Sequence, residues 1–132
     1  MKIRNLIIIA IFIIFVCLSF FAGNYFSNKE NIKNREQTCK TMIVFAINKL
    51  ENLQQQYESD EMEALISNIY AAYAYCDNDE LASALHDLWN ALVFDGENIV
   101  GKENDLIKAL KDTNSTSIKE ISINIRTKNF IK

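Results

Sequence analysis

Residues 6–23 read LIIIAIFIIFVCLSFFAG, an apolar run that a single serine interrupts. An α-helix rises about 1.5 Å per residue, so about 20 apolar residues are needed to cross the hydrocarbon layer of a membrane. Tyr25 and Phe26 extend the run with aromatic side chains, which favour the membrane interface. The stretch therefore predicts an N-terminal transmembrane helix. We expect residues 1–27 to form a membrane anchor whose residues 6–26 contact lipid.

A cleaved signal peptide is the alternative interpretation of this run. Cleavage requires small residues at positions −3 and −1 relative to the cut. A cut after Ala22 places Phe20 at −3, and a cut after Gly23 places Phe21 there. Because neither phenylalanine is small, we expect an uncleaved anchor and keep a cleaved secreted or periplasmic protein as the alternative.

The charges that flank the run do not fix its orientation in the membrane. Lys2 and Arg4 precede the run. Four basic residues follow it: Lys29, Lys33, Arg35 and Lys40. Counted by the positive-inside rule alone, residues 28–132 could lie in the cytoplasm. The very short basic tail before a first apolar segment instead favours a signal-anchor, so we expect residues 28–132 to lie outside the cytoplasm.

The remaining residues 28–132 suffice for one small domain and not for two. The whole chain has no proline and three glycines, fewer turn residues than a strand-rich fold usually contains. We therefore expect an all-α protein, with an N-terminal transmembrane helix followed by a bundle of about four to five helices. No glycine-rich nucleotide-binding pattern is present, so no cofactor is expected.

Apolar residues recur at spacings of three and four along this domain, which predicts amphipathic helices. The predicted helices cover Cys39–Tyr57, Asp60–Cys76, a stretch from Asp77 to Phe94, Asp105–Asp112 and a stretch from Ser117 onward. Predicted N-caps are Ser59 or Asp60, Asp77 and Ser117. Residues 95–102 are expected to form a loop. The alternation of Ile121, Ile123 and Ile125 also allows a terminal strand, although we favour a helix.

Charge is distributed unevenly along the chain. Residues 58–112 contain 13 acidic and three basic residues, a net charge of −10, whereas the segments on either side are basic. An acidic surface repels nucleic acid and attracts basic proteins. The partner-binding candidates are Asp77, Asp79, Glu80, Asp87 and Trp89. Trp89 could form a binding face together with Tyr70, Tyr73, Tyr75 and Phe94, or it could pack in the core.

Cys39 and Cys76 are the candidate disulfide. If the first two helices of the domain form an antiparallel hairpin, the axial mismatch between the cysteines is only about 3–5 Å. Both cysteines then lie at the same end of the hairpin, within reach of a disulfide. A disulfide requires an oxidising compartment, which supports a domain outside the cytoplasm. Two buried free thiols are the alternative.

No set of residues predicts catalysis or a metal site. His86 is the one histidine, and its neighbour Asp87 points to a different side of a helix. Neither Asp77–Glu80 nor Asp95–Asn98 has the spacing of a calcium-binding loop. We therefore expect a small, single-pass, extracytoplasmic helical protein, not an enzyme, that acts by protein–protein interaction. It could inhibit or neutralise a basic partner; an accessory or sensor subunit of a membrane complex is the alternative.

Overall fold

The computed structural model describes residues 2–56 and 58–127, with side chains from residue 10 onward. In these ranges the chain forms five α-helices, a turn of 3₁₀ helix and no strand. The helices are α1 (Lys2–Gln55), α2 (Ser59–Tyr75), α3 (Asp79–Asp95), α4 (Glu103–Lys111) and α5 (Ser115–Thr127), with the 3₁₀ turn at Gly96–Ile99. The prediction of an all-α protein with a small helical bundle is confirmed.

The chain divides into two compact units, Met1–Asn34 and Arg35–Lys132. In the first unit every described side chain is exposed, including those of Phe12, Phe15 and Phe20. α1 is the one described helix that is long and apolar enough to span a membrane, a property that a signal sequence shares. It passes without a break through the residues before Cys39, because no proline interrupts it.

In the second unit, the last part of α1 and α2 form the antiparallel hairpin that was assumed for the cysteine pair. Near the connection, Lys49 Nζ lies 3.0 Å from Glu61 Oε2. At the other end, Arg35 Nη2 donates a hydrogen bond to the carbonyl oxygen of Ala74 (3.3 Å). The predicted apolar stripe of α1 is buried in the core: Cys39, Ile43, Ala46, Ile47, Leu50 and Leu53. Tyr57, predicted to end this stripe, lies outside the described residues.

α2 and α3 form a second antiparallel hairpin. Tyr73 on α2 lies opposite His86 on α3, and Tyr70 lies opposite Trp89. Gly96 follows α3 and lies against the side chain of Met62, near the beginning of α2. A three-residue turn, Cys76–Asn78, connects the two helices. This pairing places the exposed edges of α2 and α3 side by side.

α4, α5 and the 3₁₀ turn complete the core. Ile99 is fully buried, so the predicted loop over residues 95–102 contains an ordered turn that an apolar side chain anchors. Asn98 Nδ2 donates a hydrogen bond to the carbonyl oxygen of Ile125 (3.0 Å), which joins this turn to α5. α5 is helical to Thr127, as favoured over a strand.

The predicted helix caps are wrong at all three positions. The residue that precedes α2 is Glu58, and its side chain makes no capping hydrogen bond. α3 is capped by Asn78, whose Oδ1 accepts from the backbone N–H of Leu81 (2.9 Å). In α5, Asn114 Oδ1 accepts from the backbone N–H of Ser117 (3.1 Å). Several short polar side chains near each helix start could accept the capping hydrogen bond. Asp77, which precedes Asn78, forms an ion pair with Arg35 instead.

Candidate interaction surface and cysteine pair

Four ring side chains of the α2–α3 hairpin contact one another and form what we call the aromatic surface: Tyr70, Tyr73, His86 and Trp89. The ring centroids are 5.0 Å apart for Tyr73 and His86 and 5.3 Å apart for Tyr70 and Trp89. Each helix contributes two rings spaced three residues apart, so both lie on one side of their helix. The antiparallel pairing then brings the two pairs together.

The aromatic surface lies at the boundary between core and solvent. Tyr70 is 49% exposed. Tyr73 and Trp89 are partly buried and pack against the core. The two interpretations of Trp89, core residue and binding residue, are therefore compatible, because Trp89 packs against the core and also contacts the rings of Tyr70 and His86. Val93, one turn after Trp89 on α3, continues the apolar area and is 42% exposed.

Carboxylates lie near both ends of the aromatic surface. Glu63 precedes Tyr70 by seven residues on α2, and Asp79 precedes His86 by seven residues on α3. A spacing of seven keeps side chains on one helix face. Because the helices are antiparallel, these two carboxylates, which we call the acidic ends, lie at opposite ends of the surface. Neither forms an ion pair with a residue that the structure describes.

The hairpin as a whole carries charge of one sign. Ser59–Asp95 contains eight carboxylates and neither lysine nor arginine. Two of these carboxylates pair with α1, since Glu61 contacts Lys49 and Asp77 contacts Arg35. The lysine neighbour and a hydrogen bond from Asn52 lower the pKa of Glu61. Glu63, Asp79 and Glu80 are exposed and give this face of the hairpin a negative potential.

The structure separates the residues predicted to bind a partner. Trp89 belongs to the aromatic surface and Asp79 is one of its acidic ends. Glu80, the next residue of α3, is exposed. Asp77 forms the ion pair with Arg35, which gives it a structural contact. Asp87 instead faces α5, where it lines a cavity of about 170 Å³ together with Lys119, Ser122, Ile123 and Arg126.

Two of the predicted aromatic residues, Tyr75 and Phe94, lie outside the aromatic surface. Two residues of the candidate site, His86 and Glu63, were not predicted. The guanidinium of Arg35 stands over the Tyr75 ring, 5.9 Å from its centroid. Phe94 is 77% exposed and makes no ring contact within the described part of the chain. His86 and Glu63 were not among the partner candidates. The seven-residue spacings from Asp79 to His86 and from Glu63 to Tyr70 are the signal that could have identified them.

The second candidate site is the cysteine pair. Cys39 on α1 is 4% exposed, and Cys76, which ends α2, is partly buried. Arg35, one turn before Cys39, contacts Ala74 and Asp77 on either side of Cys76, so the two cysteines lie near each other, and both are free thiols in the structure. Burial raises the pKa of the Cys39 thiol to about 12, and the neighbouring Cys76 thiol adds to this effect. The predicted proximity of the two cysteines is thus present, while the disulfide stays a prediction.

Other polar groups offer no comparable arrangement. The amide Nδ2 of Asn90 lies 3.3 Å from Nδ1 of His86, so the histidine contacts Asn90 and two rings. A cavity of about 550 Å³ between α4 and α5 is open to solvent and lined by charged side chains that include Asp105, Lys108 and Glu120. Among the residues that the structure describes, no cluster of three or more potential metal ligands occurs.

No family model, curated protein or solved structure matches this chain. Function therefore has to be inferred from the aromatic surface, the acidic ends and the cysteine pair.

Proposed function

We propose that this chain is a small membrane-anchored protein whose helical domain binds a basic partner protein. The binding site is the aromatic surface together with its acidic ends. The observation that carries the proposal is the composition of the α2–α3 hairpin, which joins four contacting rings to eight carboxylates with no lysine or arginine. Such a face suits a partner that presents lysine or arginine around an apolar centre.

The aromatic surface has the properties of an interface centre. Tryptophan and tyrosine supply most of the binding free energy in many protein interfaces, particularly when neighbouring side chains exclude water around them. The rings here pack on one another and on the core, so they lose little conformational freedom when a partner binds. A lysine or arginine side chain of the partner could also lie over these rings, since cations are attracted to aromatic faces.

The acidic ends supply orientation and partner choice. Opposite charge speeds the encounter of two proteins, and like charge suppresses wrong partners. Carboxylates at both ends of an apolar strip favour an extended or helical segment with basic residues at both of its ends. The same charge disfavours nucleic acid as a ligand.

Membrane attachment through residues 6–26 would restrict the partners of this domain to proteins that reach the membrane. We further propose that the helical domain lies outside the cytoplasm and that the protein inhibits or neutralises its partner by occupying it. No catalytic residue, metal or cofactor is part of this proposal.

The test is photo-crosslinking in intact membranes from a reactive residue placed at position 70, compared with one at position 123. Both native side chains are exposed, but Ile123 lies on α5 beside a cavity that none of the four rings lines. We expect a crosslinked protein with a basic segment from position 70 and not from position 123. Crosslinking of equal strength from both positions would overturn the proposed site.

Variants then separate the two parts of the site. We expect Trp89→Ala to weaken binding of the crosslinked partner at least about tenfold, the usual effect at an interface centre. Glu63→Lys with Asp79→Lys should slow association and remove its salt dependence. The matched control is Asp112→Lys with Glu120→Lys, which makes the same charge change beside the α4–α5 cavity and should leave binding unchanged. If both double variants weaken binding equally, net charge and not this site is responsible.

A second candidate function is that of an accessory subunit in a membrane complex. The observation that favours it is the exposure of every described side chain from Ala10 to Asn34, including aromatic ones, which suits helix–helix contacts as well as lipid. Replacing residues 1–27 by an unrelated anchor distinguishes the two functions. The interaction proposal predicts unchanged partner binding, whereas the subunit function predicts its loss.

A further inference from the structure

Two polar contacts hold the α2–α3 turn against α1 on either side of Cys76. Arg35 lies one helical turn before Cys39, and its Nε donates a hydrogen bond to Asp77 Oδ1 (2.9 Å). Its Nη2 donates to the carbonyl oxygen of Ala74 (3.3 Å). Arg35 therefore contacts Asp77, which follows Cys76, and also Ala74, which precedes Cys76. This fixes the register in which Cys76 faces α1.

In that register the two sulfur atoms are neighbours. Cys39 is nearly inaccessible to solvent, and Cys76 packs against the same buried cluster of side chains to which Cys39 belongs. Cys76 Sγ is also 3.7 Å from the carbonyl oxygen of Asn78, inside the turn itself. Because Arg35 places Cys76 beside Cys39, a covalent bond between the two side chains requires little movement of the backbone.

We propose that Cys39 and Cys76 are a redox pair that closes into an intramolecular disulfide, with Cys76 as the entry thiol and Cys39 as the resolving thiol. The disulfide joins α1 to the α2–α3 turn. This inference does not depend on the partner proposed above.

The oxidant is a disulfide, either a small molecule such as oxidised glutathione or a protein disulfide. Cys76 loses its proton to water, its sulfur attacks one sulfur of the oxidant, and the S–S bond of the oxidant breaks. The first leaving thiolate takes up a proton. Cys39 then loses its proton to water as its sulfur attacks that of Cys76, and the second thiolate leaves and takes up a proton. Two protein thiols are oxidised to one disulfide, and the oxidant is reduced to two thiols.

The order of the steps follows from accessibility. Cys76 is the more exposed of the two, so an oxidant can reach it. Cys39 lies under the turn, where burial disfavours its thiolate in the absence of a neighbouring disulfide. It therefore reacts only when the mixed disulfide on Cys76 brings an attackable sulfur into contact.

The experiment uses the full chain carrying Cys17→Ser, purified in detergent, with oxidised glutathione or a reductant added. We expect mass spectrometry to find a peptide in which Cys39 is bonded to Cys76. The thermal unfolding midpoint should rise on the order of 10 °C on oxidation, because the bond closes a loop of residues 39–76 in the unfolded chain. Two alkylatable thiols and an unchanged midpoint after oxidation would overturn the proposal.

Two single variants test the order. In Cys39→Ala, glutathione should remain attached to Cys76; in Cys76→Ala, Cys39 should stay unmodified. Circular dichroism shows whether each variant folds. If either does not, the alkylation rates of the two thiols in the reduced parent chain test the order of reaction. We then expect Cys76 to be alkylated faster than Cys39. Faster reaction of Cys39 would reverse the assigned roles and overturn this part of the inference.

Thiol labelling in intact cells distinguishes a failure of this inference from a failure of the proposed location. If the pair oxidises in the purified protein but labels without reductant after permeabilisation, the domain lies in a reducing compartment and the location is wrong. If the pair cannot oxidise in the purified protein, the redox inference itself is wrong.

Discussion

Glu61 shows how a single residue links the helices of the bundle. Its carboxylate accepts hydrogen bonds from Lys49 (3.2 Å) and Asn52 (3.3 Å), both on α1, while Glu61 itself belongs to α2. These contacts lower its pKa below the ordinary value of 4.5. The unfolded chain therefore binds the proton more readily than the folded chain does. Glu61 stabilises the fold above about pH 4.5, and this contribution is lost as the pH falls through the lowered pKa.

We predict that Glu61→Gln reduces the loss of stability on acidification. The measurement is the thermal midpoint at about pH 7 and about pH 3.5, compared between the variant and the parent chain. Glu63→Gln is the matched control, because Glu63 has no ion pair among the described residues and should leave the acid-induced loss unchanged. Equal changes in both variants would mean that the acidic hairpin, and not this contact, sets the acid response.

Other residue roles depended on partners that lie far away in sequence. The sequence identified Asp77 as an acidic residue at a helix start, a position with two available uses, capping or partner binding. In the structure, its carboxylate pairs with Arg35, 42 residues earlier. For Cys39 and Cys76, the sequence predicted proximity from helix lengths and an assumed antiparallel hairpin, because the rise per residue of a helix is constant.

At the scale of elements, the periodicity predicted each helix but not its first residue. The residues that precede α2, α3 and α5 are Glu58, Asn78 and Asn114, one to three positions from the predicted caps. Apolar stripes extend over several turns and are buried by a whole neighbouring helix, so they are reliable. A cap depends on one side-chain oxygen among several nearby candidates, so small local differences decide it.

We predict that Asn78→Ala destabilises the domain by about 1 kcal/mol, because the backbone N–H of Leu81 loses its acceptor. Asn78→Asp retains an acceptor and should restore most of this loss. Ser59→Ala is the control, since Ser59 was a predicted cap and the start of α2 has no side-chain capping bond; its effect should stay within about 0.5 kcal/mol. Urea unfolding of the three variants measures the differences, and a larger effect at Ser59 than at Asn78 would contradict the assignment.

At the scale of the whole molecule, the buried residues come from all five helices and the 3₁₀ turn, and they all lie in the unit Arg35–Lys132. The buried side chains include Leu50 of α1, Leu88 of α3 and Ile118 of α5. The apolar run of residues 6–23 contributes no buried side chain among those described. Folding of the bundle and attachment to the membrane should therefore be separable.

We predict that a chain lacking residues 1–27 folds without detergent. It should show the helical circular dichroism of the bundle, a cooperative thermal transition and a midpoint within a few degrees of the full chain in detergent. The full chain should remain with membranes after alkaline extraction, whereas the shortened chain should be released. Aggregation of the shortened chain, or a transition without cooperativity, would show that the first 27 residues are needed for folding.

The sequence by itself determined the helical class, the apolar stripes and the one segment long enough to span a membrane. These features depend on hydrogen bonds and side-chain spacings between residues that are only a few positions apart in the chain. The tertiary structure decided which face of the hairpin presents Tyr70, Tyr73, His86 and Trp89 together, and that Arg35 holds the turn beside Cys76. Those contacts join residues on different helices, so their free energy exists only after the helices have packed.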